Sequence, residues 1–351
     1  MNDKHKTLKT WQKAGIIIGT MALVGGGGYA VYYAMTSGQS TSIHGEEVSA
    51  GVAETTLTGD ETNITLSEGE NLITKAGIYT VTGAISNGYI HINASDEEEV
   101  KIILDNVSIT NSNGPAIYIE SNGNTYIELV GTNTINATVS DDIKGAIHSK
   151  ADLKISGDGI IVIKSSIHGI VCKDDLEIDG GTFNITAGDD GINTNDSATF
   201  EGGTFKIVAS GDGIHTDGYL EINDGKFDIS AREGLEGTYI KINGGETTIS
   251  ASDDGINASN KSSEYSVIVE INGGTLNITM GQGDTDGIDA NGNIYINGGT
   301  ITISGQSPFD YDGEAKYTGG KLIINGTETT EITNQFGGMG PGGQGGGRMM
   351  R

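Results

Sequence analysis

In "YLEINDGKFDI" (219–229) apolar and polar residues alternate: Leu220 and Ile222 interleave with Tyr219 and Glu221, and Phe227 and Ile229 with Lys226 and Asp228. A period of two predicts β-strands, here of three to five residues, each with one face turned inward. The same pattern returns in "IDGGTFNI" (178–185), "FEGGTFKI" (200–207), "INGGETTI" (242–249), "INGGTLNI" (271–278) and "INGGTITI" (296–303). A second signature keeps step with it. A small-residue turn followed by an aliphatic recurs at Ile147, Ile170, Ile192, Ile214, Leu235, Ile256 and Ile288, evenly spaced except for a longer last interval. A repeat of about 22 residues predicts an all-β solenoid, because one such unit cannot bury its apolar side alone and stacked coils can.

Stacking in phase predicts internal columns. Ile185, Ile207, Ile229, Ile249, Ile278 and Ile303 form one, and Phe183, Phe205 and Phe227 another. Paired glycines at the corners permit positive φ, and Asn223, Asn243, Asn272 and Asn297 align as a ladder. The long interval from Ile256 to Ile288 fits one coil with an insertion of about ten residues in "ASNKSSEYSV" (258–267). Upstream, less regular turns carry the solenoid back to about residue 57, giving a domain over 57–333. It is preceded by a stalk (36–56) and followed by a Gly/Met-rich tail (334–351).

The N-terminal segment sets the compartment. Residues 14–35 are uncharged and long enough to cross a membrane as a helix, and residues 1–13 carry a net +3, a bias that keeps them in the cytosol. The expectation is a single-pass signal anchor with an extracellular C-terminal domain; a cleaved signal peptide is the alternative. With one cysteine, Cys172, the exported part forms no internal disulfide. The net charge of −27 leaves −30 beyond the N-terminal segment, which argues against nucleic acid and for cations, or for ligands that cations bridge.

The repeated turns "GDDGINTND" (188–196), "SDDGINASN" (252–260) and "GDTDGIDAN" (283–291) concentrate that charge. In register, Asp190, Asp212, Glu233, Asp254 and Asp286 form one column at about 4.8 Å spacing, where a pair of like charges costs roughly 3 kcal/mol at an effective dielectric of 20. Calcium would relieve this with six to eight oxygens, drawn from Asp189, Asp190, Asp212, Asp253, Asp254, Asp284 and Asp286, with Asn193, Asn257, Asp217 or Asp289 completing the shell. Turn propensity of Asp-Gly and Asn-Gly alone explains the same residues structurally. His148, His168 and His215 are scattered over coils without a Cys/His cluster, so zinc is not expected.

An anchor, "GDDGI" and "INGGT" repeats on this period, and a Gly/Met-rich tail resemble a bacterial carbohydrate-binding family of right-handed parallel β-helices similar to polysaccharide lyases. The resemblance implies calcium at Asp189, Asp190, Asp212, Asp253, Asp254 and Asp286, and affinity for cellulose and pectin-like acidic polysaccharides. One coil departs from the pattern, with Arg232 where Asp189 and Asp253 stand.

Three functions compete. The first is a membrane-tethered, calcium-dependent module for plant-type or acidic polysaccharides, with Tyr219 and Tyr239 pointing outward to stack on sugar rings. The second is a polysaccharide lyase with Arg232 as base, although such an arginine more often pairs with Glu233 or Glu236. The third is an adhesin or spacer without sugar affinity.

Overall fold

The computed structural model describes residues 61–334 apart from 122, 283 and 284. The anchor (14–35), the stalk, nearly all of the tail and Asp284 therefore lie outside the described residues. No helix among the described residues is long and apolar enough to cross a membrane.

Thirty-five strands form three sheets of twelve, twelve and eleven, and the chain visits each sheet once per coil. One coil shows the order: Asp212–Thr216 in what we term the acid sheet, Tyr219–Ile222 in the tyrosine sheet, Lys226–Ala231 in the phenylalanine sheet. Each strand pairs in parallel with its equivalent one coil away, giving a parallel β-solenoid of about twelve turns. Strands expected at three to five residues reach seven in Asn124–Val130.

The core follows from the alternation. Ile185, Ile207, Ile229, Ile249, Ile278 and Ile303 are successive register partners, all buried. The Phe205 ring stacks between Phe183 at 4.7 Å and Phe227 at 4.6 Å, with Phe200 edge-on at 5.3 Å. Complete burial of such a ring contributes about 3 kcal/mol, which repetition along the axis multiplies. At the corner between the tyrosine and phenylalanine sheets, the amide of each asparagine donates to the previous one: Asn243 to Asn223 at 2.7 Å, then Asn272 to Asn243 and Asn297 to Asn272 at 2.9 Å. The glycine that follows is conformationally required, Gly245 for example standing at φ +78°.

The glycine of the acidic turn is needed for a different reason. A Cβ on Gly213 would fall 2.3 Å from Ile229 Cγ2 and 2.6 Å from the Gly234 carbonyl, so the next coil and the core leave room only for hydrogen. At the C-terminal end the stack closes with the one antiparallel pair among the named strands, Lys321–Ile324 with Thr327–Thr329. It turns through Asn325-Gly326, both at positive φ, and covers a sheet edge that would otherwise be open.

Candidate functional site

The acid column exists as the phase of the repeats requires. Asp212 is in register with Glu233. Asp190 Oδ1 accepts the Asp212 amide at 2.8 Å, and Asp254 Oδ1 accepts the Asp286 amide at 3.1 Å. Each of these carboxylates thus caps the backbone of the coil after it, a structural use of the acidic turn. Three residues on, each strand presents a second polar side chain toward the same carboxylates: Asn193 donates to Asp190 Oδ2 at 2.8 Å, and Asn257 to Glu233 Oε2 at 2.9 Å. In the register that contains Asn193 and Asn257 stand also His215, Glu236, Asp289 and Asp310.

The middle of the column is balanced by the chain's own cations. The Arg232 guanidinium reaches Asp212 at 2.9 Å and Asp253 at 2.8 Å and also contacts Glu233. Partial burial works against its charge, but Glu233 and Asp212 more than offset this and raise its pKa above the ordinary value, so it keeps its proton and makes a poor base. The pairing with Glu233 is as expected; Glu236 instead takes His215 at 2.6 Å and Lys261 at 2.7 Å. Burial opposes the charge on His215, yet hydrogen bonds to Asp212 and Glu236 push it up to about 10, and it stands as an imidazolium. Lys261 comes from the 258–267 insertion, whose presence was legible in the sequence spacing.

Beyond Arg232 the balance ends. Asp254 is pushed up to about 7 by burial and by Asp289, Asp253 and Glu233, although the Asp286 amide counteracts this. Asp289 rises to about 6 through burial and the neighbouring Asp310 and Asp286. Beside them, the buried Asn257 Oδ1 has no hydrogen-bond partner. At this end Asp254 bonds the Asp286 amide and Asn257 stands in register with Asp289, while the acids whose oxygens lie within 4.8 Å of one another are Glu233, Asp253 and Asp254. Asp189 and Asp253 lie one position earlier, in the more exposed corner row that Arg232 shares. Asp217 is held apart, bound to His215 Nε2 at 3.2 Å.

The tyrosines correct an expectation. Tyr219 and Tyr239 are register partners, with ring centroids 5.1 Å apart, but Tyr219 is only 4% exposed. Tyr265 from the insertion stacks over it at 5.9 Å, so period-two alternation gave the right face and the insertion covered it. Tyr239 remains partly exposed, its hydroxyl donating to Glu270.

The histidines correct another. His148, His168 and His215, read as scattered, line one cavity of about 320 Å³ with Lys144, Lys173 and Asn195. Coil stacking brings them to one face, since Val171 and Asn193 join His148 to His215 in a single register row and His168 stands beside Asp190. Asp141, Asp142 and Lys144 are added by an insertion before Gly145, where the chain from Ala137 to Ile147 is twice as long as the equivalent stretch from Ala187 to Ile192. The signal was present in the interval from Ile117 to its register partner Ile147, which exceeds the regular repeat. His148 is 3% exposed, its Nδ1 has no partner, and burial, followed by Lys173 and Lys150, lowers it to about 4. Between about 4 and 6.5 the unfolded chain therefore holds a proton that the folded chain refuses; this contribution to stability is complete above about 6.5 and is lost as pH falls through 4. By NMR the His148 ring should titrate with a midpoint near 4, and a midpoint above 6 would contradict the burial argument.

The chain resembles known proteins along most of its described length. A curated carbohydrate-binding domain-containing protein of Acetivibrio thermocellus is 31% identical over 191 residues, 50% of this chain and 64% of that protein, so the chain spans less than two thirds of its relative's length. A solved structure of a polysaccharide lyase-like protein from C. thermocellum, a gadolinium derivative, is similar with 23% identity and a TM-score of 0.40, covering 76% of this chain and 94% of that one. The family profile for carbohydrate-binding domain-containing proteins matches twice, over residues 67–239 and 218–335, as a repeating solenoid allows. Between them the two profile matches take in nearly every described coil, and the chain belongs to the family of carbohydrate-binding domain-containing proteins.

Proposed function

We propose that this protein holds acidic, plant-type polysaccharide at the outside of the acid sheet in a calcium-dependent manner, at the cell surface, with residues 14–35 as its membrane anchor and right-handed coils, as crossovers between parallel strands favour. The observation that carries the reading is the uncompensated end of the acid column, where Asp254 and Asp289 are raised by burial and then by their acidic neighbours and the buried Asn257 Oδ1 lacks a donor. These are hard oxygens of the kind calcium takes, and an ion bound beside Asp254 would draw Asp286 and Asp289 toward it. The stretch around Arg232 does not fit, since a guanidinium already lies among Asp212, Glu233 and Asp253. At Asp190 the fit is poorer too, because the Asp212 amide and Asn193 take up its two oxygens. Calcium at the Asp254 end would neutralise the patch and offer coordination positions to sugar oxygens, without which a chain of net charge −27 repels an acidic polymer.

The carboxylate-to-amide hydrogen bonds favour a second reading, a spacer whose acidic turns are only scaffold. Pull-down on pectate and cellulose, with and without chelator, separates the two. Pectate retention should require calcium and weaken first in Asp254→Asn. Tyr239→Ala should weaken both ligands through loss of a stacking face. Pectate retention that persists in chelator would make calcium bridging wrong.

A further inference from the structure

The cavity beneath the 138–144 insertion lies outside the calcium reading and has its own electrostatics. Lys144 and Lys173, both exposed, converge on it. In a chain with 47 acidic against 20 Lys and Arg residues, Lys101, Lys154, Lys226, Lys241 and Lys261 are all paired with carboxylates. Lys173 instead donates to the neutral amide oxygen of Asn195 at 3.1 Å. The largest charges felt by His148, from Lys173 and Lys150, are both positive. Asp141 and Asp142, exposed and on the same insertion as Lys144, also line the cavity and provide acceptors, as do Asn193, Asn195 and the His215-bound Asp217.

We propose that this cavity is a subsite for one hexuronate ring, its carboxylate held by Lys173 and Lys144, its hydroxyls by Asp141, Asp142 and the edge of the His148 imidazole that lines the cavity. A cavity of about 320 Å³ suits a single polar ring, at the small end of the roughly 300–1,000 Å³ typical of small-molecule sites. Uncommitted cations select for a carboxylate, and the mixture of donors and acceptors suits sugar hydroxyls. The inference rests on the carbohydrate-binding reading but not on calcium, because neither lysine, His148 nor Asn195 belongs to the donor set at Asp254.

The test is ligand-observed saturation-transfer NMR of the full chain in chelator, with D-galacturonate, D-galactose and acetate as probes. Galacturonate should bind, galactose should bind about tenfold more weakly, and acetate should displace galacturonate only at much higher concentration. Lys173→Met, at an exposed position, should weaken galacturonate about tenfold with the amide spectrum otherwise unchanged; His148→Gln should weaken galacturonate and galactose together. An unchanged affinity in Lys173→Met, or no galacturonate signal from a chelated protein with an intact spectrum, overturns the subsite. Pectate pull-down that still requires calcium alongside that negative result leaves the calcium reading standing. Loss of calcium dependence on pectate with galacturonate still bound in chelator removes the calcium reading and leaves the subsite.

Discussion

Arg232→Ala should cost the calcium-free protein about 3 kcal/mol of unfolding free energy, the largest effect expected of any surface-accessible side chain in the acid sheet. The arginine is half exposed, but Asp212 and Glu233, which it joins, are 3% and 4% exposed. Its removal leaves two buried carboxylates facing each other in register, with His215 still on Asp212 but only the neutral Asn257 amide on Glu233, and the cost is the uncompensated charge rather than the lost contact. Arg232→Lys should recover only part of it, since an ammonium cannot fork to Asp212, Glu233 and Asp253 together. Urea unfolding followed by circular dichroism measures the loss. Calcium should restore much of the stability of Arg232→Ala, whose column then resembles the acid-only end. A loss below about 1 kcal/mol, unaffected by calcium, would show that the column tolerates its own charge.

Calcium added to chelated wild-type protein should raise the melting temperature, and Asp254→Asn should abolish most of that rise. A ligand that binds only the native state stabilises by about 2.7 kcal/mol at a hundred times its Kd. Removing one carboxylate weakens the ion's shell while the strand cores, which face the other way, are untouched. Magnesium should substitute poorly, because it holds its waters and demands a tighter octahedral shell. Identical melts in chelator and in calcium would remove the ion from the account and leave the acidic turns as caps for the backbone of neighbouring coils.

Everything that repeats is legible along the chain. Once the period is read, equivalent positions must stack, and so the isoleucine column, the Phe183–Phe205–Phe227 stack, the asparagine ladder and the acid column all follow without knowledge of any other contact. What breaks the period takes its place only through packing between distant residues. Tyr265 reaches back from one insertion to cover Tyr219, and Lys261 from the same loop neutralises Glu236. The other insertion adds Asp141, Asp142 and Lys144 to the cavity that His148, His168 and His215 line. Sequence spacing located the 258–267 departure as residues in excess of a coil and left the other among the less regular upstream turns, and an insertion has no equivalent on the neighbouring coil to set its register. Where its side chains come to rest depends on packing and charge across the sheet. Cation placement has the same origin: Arg232 was visible as the odd residue in an acidic row, whereas its three carboxylate partners, on its own coil and the two beside it, are joined only when the coils stack.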